Sequence, residues 1–424
     1  MPAAKRRVVL TGIGVVSSIG LDAASFWDGL ANGRTGIKTI QAFDPSPLPT
    51  RFAGEILGFD VKKHLATKEE RKQIRVMSRT IQLAVAAANL ALIDSKVDKK
   101  KLVPSRFGVE FGAGLIPSEL DELGAASYAS TEGNAHAVDL KLWGQQGIES
   151  IQPLWMLKYL PNMLACHVSI LHNAQGPNNS ITESDVASLL ALGEAVRVIQ
   201  RDQADFFLVG GADSKLTPLS MVRQTLFGQL SRGNDAPDQA VKPFDLRRDG
   251  MIFGEGSGVL VAEELEHAKG RGATIYGEIV GFGASFDRGL TGKGMARAMR
   301  IALAQAGVSP GDIDHVNAHG LGSIKLDAAE ARGIHEVFGA SVPVWSLKSS
   351  IGSLGAGAGT AEVGASLLAF RHGTLPPTRN FETPDPACPV QVLTKPRPIA
   401  KAHFLKLGFT EMGQCAAVVC RKWD

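Results

Sequence analysis

Cysteines, aromatic side chains, long apolar runs and an excess of one charge are all scarce in this chain, and each scarcity excludes a class of protein. Only 4 cysteines occur among 424 residues: Cys166, Cys388, Cys415 and Cys420. They form no Cys-x-x-Cys pair and no zinc-ligand spacing, so neither a metal site nor a disulfide framework is expected. Such usage belongs to a reducing compartment, and a soluble cytoplasmic protein is the expectation. Aromatics make up 6% of the chain, and 45 Lys and Arg against 42 Asp and Glu leave a net charge of only +3. A charge this small, with lysine clusters that lack interleaved aromatics, argues against nucleic acid as a partner. No stretch reaches the ~18 uninterrupted apolar residues of a membrane span, so stable membrane association is not expected. The basic start before Val8-Val9-Leu10 imitates a signal peptide, but Thr11, Gly12 and Gly14 break the apolar run. It reads more easily as a buried strand followed by a turn.

What the chain does contain is apolar residues, at 44%, and glycine, with 47 residues. Average usage near 7% would give roughly 30 glycines, so many tight turns and close backbone approaches are expected. The length allows two structural units with a sizeable core. Short apolar segments such as Val8–Leu10, Phe107–Phe111, Phe206–Gly210 and Gly258–Glu263 alternate with helical patterns such as Ser78–Ile93, Val186–Gln200 and Met295–Ala306. This alternation predicts α/β layers. No Pro/Ser-rich linker or short repeat divides the chain. One longer echo exists: Val8 to Gly14 resembles Gly277 to Gly283. It suggests a duplicated fold, with an N-terminal half over 1–265 and a C-terminal half over 266–424. Gly12-Ile13-Gly14 also imitates the start of a dinucleotide fingerprint, but Ser17 stands where the third glycine belongs, so a simple turn is expected.

The segment Pro243-Phe244-Asp245-Leu246-Arg247-Arg248-Asp249-Gly250, continued by Gly254-Glu255-Gly256, carries a specific signature. It resembles that of the β-ketoacyl-(acyl carrier protein) synthases. Further matches follow in order: Asn317-Ala318-His319-Gly320 with Asp327 and Glu330, Lys348-Ser349 before a Gly/Ala-rich run, and Gly408-Phe409. The resemblance covers essentially the whole chain. It implies a thiolase-like duplicated fold, two similar halves layered αβαβα, dimeric, and working on acyl carrier protein without a cofactor or metal. The family's chemistry needs a cysteine thiolate at a helix N-terminus to take the acyl chain, two histidines to assist decarboxylation and hold the enolate, and a lysine and Gly-Phe turn to support and gate the pocket.

At those positions this chain departs from the pattern. The nucleophile position holds Asp185, and the second histidine position holds Ser353; His319, Lys348, Phe409, Asp327 and Glu330 match. A carboxylate attacking a thioester gives a high-energy mixed anhydride, and one lost enolate donor typically costs roughly 10²–10³ in rate. The leading expectation is therefore a degenerate ketosynthase that does not condense by itself. It would act like a chain-length factor beside an active ketosynthase, as a heterodimer or homodimer. A second reading keeps catalysis: Asp185 and His319 as an acid/base pair, or Asp185 as an acyl acceptor, in an acyltransferase, hydrolase or decarboxylase. A third is a conventional condensing enzyme. Asp185 also has a purely structural account, because an acidic residue in a first helical turn is favoured by about 0.3–1 kcal/mol. His319 beside Asp327 or Glu330 reads equally as a satisfied core histidine. Adjacent Cys166 and His167 point about 100° apart on a helix and so do not form a catalytic pair.

Two surface readings complete the set. Lys68, Arg71 and Lys72 lie in a basic cluster resembling the segment with which these synthases receive acidic carrier protein, though such runs are commonly plain solvated faces. Trp155 and Met156 fall in the region that reaches across the family's dimer, where they either pack the interface or shape the partner's acyl tunnel. The loop from Ser118 to Gly147 ahead of them is expected to add to that interface.

Overall fold

The computed structural model describes residues 6–131, 133–134, 136–227 and 229–423. Strands Val8–Val16 (β1), Phe107–Ala113 (β2), Asn178–Thr182 (β3), Phe206–Asp213 (β4) and Gly256–Glu264 (β5) form one arm of a mixed sheet. Strands Gly277–Phe286 (β6), Ile313–Asn317 (β7), Pro343–Trp345 (β8), Gln391–Val392 (β9), His403–Phe409 (β10) and Gln414–Lys422 (β11) form the other. Across the 11 strands the order is β9-β8-β7-β10-β11-β6-β1-β5-β4-β2-β3. The arms meet where Val8, Val9 and Leu10 pair antiparallel with Ile279, Glu278 and Gly277. Each arm repeats one pattern outward from this join. Two antiparallel pairings come first, β1 with β5 with β4 and β6 with β11 with β10, and parallel pairings follow.

Five helices set the layers: Arg79–Ser95 (α1), Ala187–Gln200 (α2), Lys293–Ala306 (α3), Ile324–Phe338 (α4) and Ala358–His372 (α5). α2 and α5 contact strands of both arms, while α1 covers the outside of the first arm and α3, with α4 packed on it, the outside of the second. This is a thiolase-like αβαβα stack. Burial explains the composition of the inner layer. α5 is buried at every position from Ala358 to Phe370 and is built largely of Ala, Gly, Leu and Val, as expected of a helix with no solvent face. β1 is likewise buried at all 9 positions, because helices cover both faces of its arm.

The sequence echo marks two places where a helix lies almost against the sheet. A Cβ on Gly14 would stand 1.9 Å from the Ala87 carbonyl of α1, and one on Gly283 would stand 2.1 Å from the Ala298 carbonyl of α3. Glycine on the strand facing alanine on the helix is the same solution used in both arms.

Three expectations need correction. β1 does not turn at Gly12 but continues to Val16, since Gly12 to Val16 pair with Val261 to Ser257; the glycines serve helix contact, not a turn. Asp185 is not in the first turn of a helix proper: it lies in the single 3₁₀ turn Ser184–Val186, and α2 starts at Ala187. The segment expected as a loop carries helices Leu120–Ala129 and Leu140–Gln145. Among the described residues no helix is long and apolar enough to cross a membrane.

Candidate active site

The chemistry-bearing positions converge where the head of α2 meets the C-terminal ends of β7 and β10. Asp185, Ser353, His319 and Phe409 line one cavity of about 120 Å³. Asp185 arrives there on a strained turn, because Ser184 before it has φ +47° without being glycine. Such a conformation costs of order 1–3 kcal/mol and persists only when its surroundings fix it. Here the surroundings are hydroxyls: Ser353 Oγ donates to Asp185 Oδ1 at 2.9 Å and Ser184 Oγ donates to Oδ2 at 3.2 Å. Ser353 is itself held by the strand-like bridge between Phe253 and Ser353, with its N–H donating to the Ile252 carbonyl at 2.8 Å. Asp185 is thus tied to Ser353.

His319 follows β7 and is 1% exposed. Its ring stands edge-on to Phe409 with centroids 4.9 Å apart, and Nε2 has no hydrogen-bond partner among the described residues. Glu330 serves the loop, not the ring: its oxygens accept the N–H groups of His319 at 2.6 Å and Gly320 at 2.8 Å. The reading of His319 as a core histidine satisfied by Asp327 or Glu330 is therefore corrected. Burial, reinforced by the charges of Lys348 and Lys406, holds the imidazole pKa well below its usual range, so the ring is neutral at physiological pH. Asp327 accepts the N–H groups of Phe244 at 2.9 Å and Gly322 at 3.0 Å. Burial raises Asp327 to about 6 and Glu330 to about 7. Both acids are loop fasteners behind the cavity.

The sequence signature has the same structural purpose. Asp245 accepts N–H groups from Arg247, Glu382 and Thr383, and Arg248 reaches the carbonyls of Asp245, Ser323 and Ile324 as well as Asp385. Glu255 pairs with Arg79 at 2.8 Å and takes the Ser214 hydroxyl at 2.8 Å. These contacts lock the loops that carry the cavity wall.

Lys348, expected to support the pocket, does not line the cavity; its ammonium is buried on Glu362, which also binds the buried Lys406, itself bonded to the Ala318 carbonyl at 3.1 Å. Sequence reasoning missed Glu362, Lys406 and several groups of the cavity wall. Lys406 sits inside an apolar strand and Glu362 inside a Gly/Ala helix, so neither belongs to a visible motif. Lys215, Gln224, Gln229 and Glu411 line the cavity as well, and Gln229 Nε2 donates to Glu411 at 2.5 Å. A lone lysine between Ser214 and Leu216 gave no signal; only the fold places it beside Asp185. No group of His, Cys, Asp and Glu suited to a metal occurs among the described residues.

The other predicted residues lie elsewhere. Lys68, Arg71 and Lys72 are exposed on the short helix Lys68–Lys72, capped by Thr67 and Glu70. Trp155 is half-buried against Tyr159 at 5.1 Å, and Met156 is 60% exposed. None of the cysteines lines the cavity. Cys388 and Cys415 are pushed up to about 12 by burial, so both are inert thiols at neutral pH.

Fold and cavity together define a condensing-enzyme scaffold, and comparison with known proteins agrees. Residues 5–268 match the Beta-ketoacyl synthase, N-terminal domain, and residues 276–382 the Beta-ketoacyl synthase, C-terminal domain. The chain belongs to the β-ketoacyl synthase family. It is 36% identical over 391 residues to 3-oxoacyl-(acyl-carrier-protein) synthase 2 of Vibrio cholerae, covering 90% of each chain. It is 38% identical over 417 residues to the putative polyketide beta-ketoacyl synthase 1 of Streptomyces cyaneus, covering 95% of each. Among solved structures, the ishigamide ketosynthase/chain length factor superposes with a TM-score of 0.87 at 29% identity, covering 99% of this chain and 100% of that one.

Proposed function

We propose that this chain is a ketosynthase-type subunit of fatty-acid or polyketide assembly that does not condense by itself and acts, like a chain-length factor, beside an active β-ketoacyl-acyl carrier protein synthase. The observation that carries this reading is Asp185. At the position where the family places its nucleophile stands a carboxylate bonded to Ser353 and Ser184, with no thiol lining the cavity. A carboxylate so held has no low-energy acyl intermediate to form, and its charge opposes an enolate developing beside it. In this reading Lys68, Arg71 and Lys72 steer an acidic carrier protein, and Trp155 and Met156 face the partner subunit.

A second reading is favoured by one observation: the unpartnered, neutral His319 and Asp185 open on the same cavity. A base and an acid so placed suit decarboxylation or hydrolysis of a small acyl thioester. The test is product analysis of malonyl- and acetyl-carrier protein incubated with the purified chain and with Asp185→Ala. Substrates returned intact support the partner role. Free acid or decarboxylated thioester that disappears in Asp185→Ala supports the second reading instead.

A further inference from the structure

The cavity wall beyond Asp185 carries a charge that an alkyl chain cannot pass cheaply. Lys215 leaves the end of β4 and enters the cavity, where Nζ meets Asp213 Oδ2 at 3.2 Å and stands 5.7 Å from the centre of the Phe253 ring. Asp213 is 2% exposed and its place is built for it. Gly355 faces it at φ +51°, and a Cβ there would stand 2.1 Å from Asp213 Oδ2. Burial raises Asp213, whereas for Lys215 the neighbouring Asp213, Asp185 and Glu411 outweigh burial and raise its pKa, so the lysine stays charged. The cavity that the lysine shares with Asp185 is small, about 120 Å³.

We propose that Lys215, fixed by Asp213, is a plug that determines specificity: it closes this subunit's own acyl compartment to alkyl chains and leaves room only for a short acyl group. The inference rests on the reading of the chain as an acyl-thioester protein and extends it. A methylene chain entering past Asp185 must either displace the ammonium from Asp213 or strip it of solvent, and a charge deprived of its partner inside the protein is heavily penalised. A short group fits beside the serine hydroxyls, His319 and Phe409 without displacing the lysine. The growing product of a condensing partner is in this way kept out of this chain.

The test measures binding without turnover. Acetyl- and dodecanoyl-pantetheine amides, in which an amide replaces the thioester, are titrated calorimetrically into the purified chain and into Asp213→Asn/Lys215→Met. The double variant removes both charges, so no buried Asp213 is left unpaired, and Asn preserves the shape beside Gly355. The account predicts that the wild type gains nothing from the longer chain. The variant then binds the dodecanoyl amide at least about 10-fold more tightly than the wild type does, and its dodecanoyl-to-acetyl affinity ratio rises by at least about 10-fold. Dodecanoyl binding in the wild type that already exceeds acetyl binding about 10-fold overturns the plug. So does a variant with an unchanged melting profile that gains no dodecanoyl affinity. If the variant melts differently, Lys215→Gln, which keeps the stem and loses the charge, must show the same gain or the plug is rejected. Because no condensation is scored, the result is separate from whether the chain condenses.

Discussion

At the scale of single residues, the site is one of held charges. Asp185 is tied by hydroxyls, Lys348 and Lys406 share Glu362, Lys215 is pinned to Asp213, and His319 is left neutral. His319 makes this visible in pH. Its folded pKa lies below the unfolded value near 6.5, so below pH 6.5 the unfolded chain takes a proton that the folded chain refuses. Stability from this group is therefore complete above pH 6.5 and is lost as pH falls. The loss is at most about 1.4 kcal/mol per pH unit for one proton. Denaturation of the wild type and His319→Gln between pH 7.5 and 5 should show the wild type losing stability faster over the acid half of that range. Parallel curves show that His319 is not held neutral by the fold.

At the scale of elements, the fold depends on helices lying almost against strand backbone. Gly14→Ala forces a Cβ to 1.9 Å from the Ala87 carbonyl and should cost about 1–3 kcal/mol or more, as overpacking does. Gly124→Ala, on an exposed helix with nothing within 4 Å of its Cβ, should instead stabilise by about 0.4–1 kcal/mol through the unfolded state. Urea denaturation of the two variants checks both signs. The same elements show what the sequence made legible. Apolar alternation located the strands, and the echo between Gly12-Ile13-Gly14 and Gly281-Phe282-Gly283 pointed to a duplicated fold, although the first was read as a turn and the helix contacts of its glycines were not foreseen. Glycine in a strand and glycine in a turn look alike until the covering helix is known. Asp185, Ser353 and His319 were legible because they stand inside motifs. Lys215, Lys406 and Glu362 were not, because each is an isolated polar residue whose partner is brought to it only by the crossing of distant elements.

At the scale of the whole molecule, the stretch from Leu115 to Ile170 displays apolar side chains without cover. Tyr128 and Leu140 are each 81% exposed, and Leu154, Met156 and Ile170 are each at least 60% exposed. The outermost strand β3 beside them pairs with β2 alone. Exposed apolar side chains beside an open sheet edge mark a candidate association surface. Light scattering should find the chain, alone or mixed with an active ketosynthase, as a dimer, and Tyr128→Glu with Leu154→Glu should shift it toward monomer. A monomeric wild type in both settings contradicts a partner role. The central claim is that this scaffold lacks an acyl acceptor, and intact-mass measurement after incubation with acetyl-carrier protein tests it most directly. The account predicts that the wild-type mass is unchanged while Asp185→Cys gains one acetyl group. A stable acetyl adduct on the wild-type chain, lost in Asp185→Ala, would contradict it.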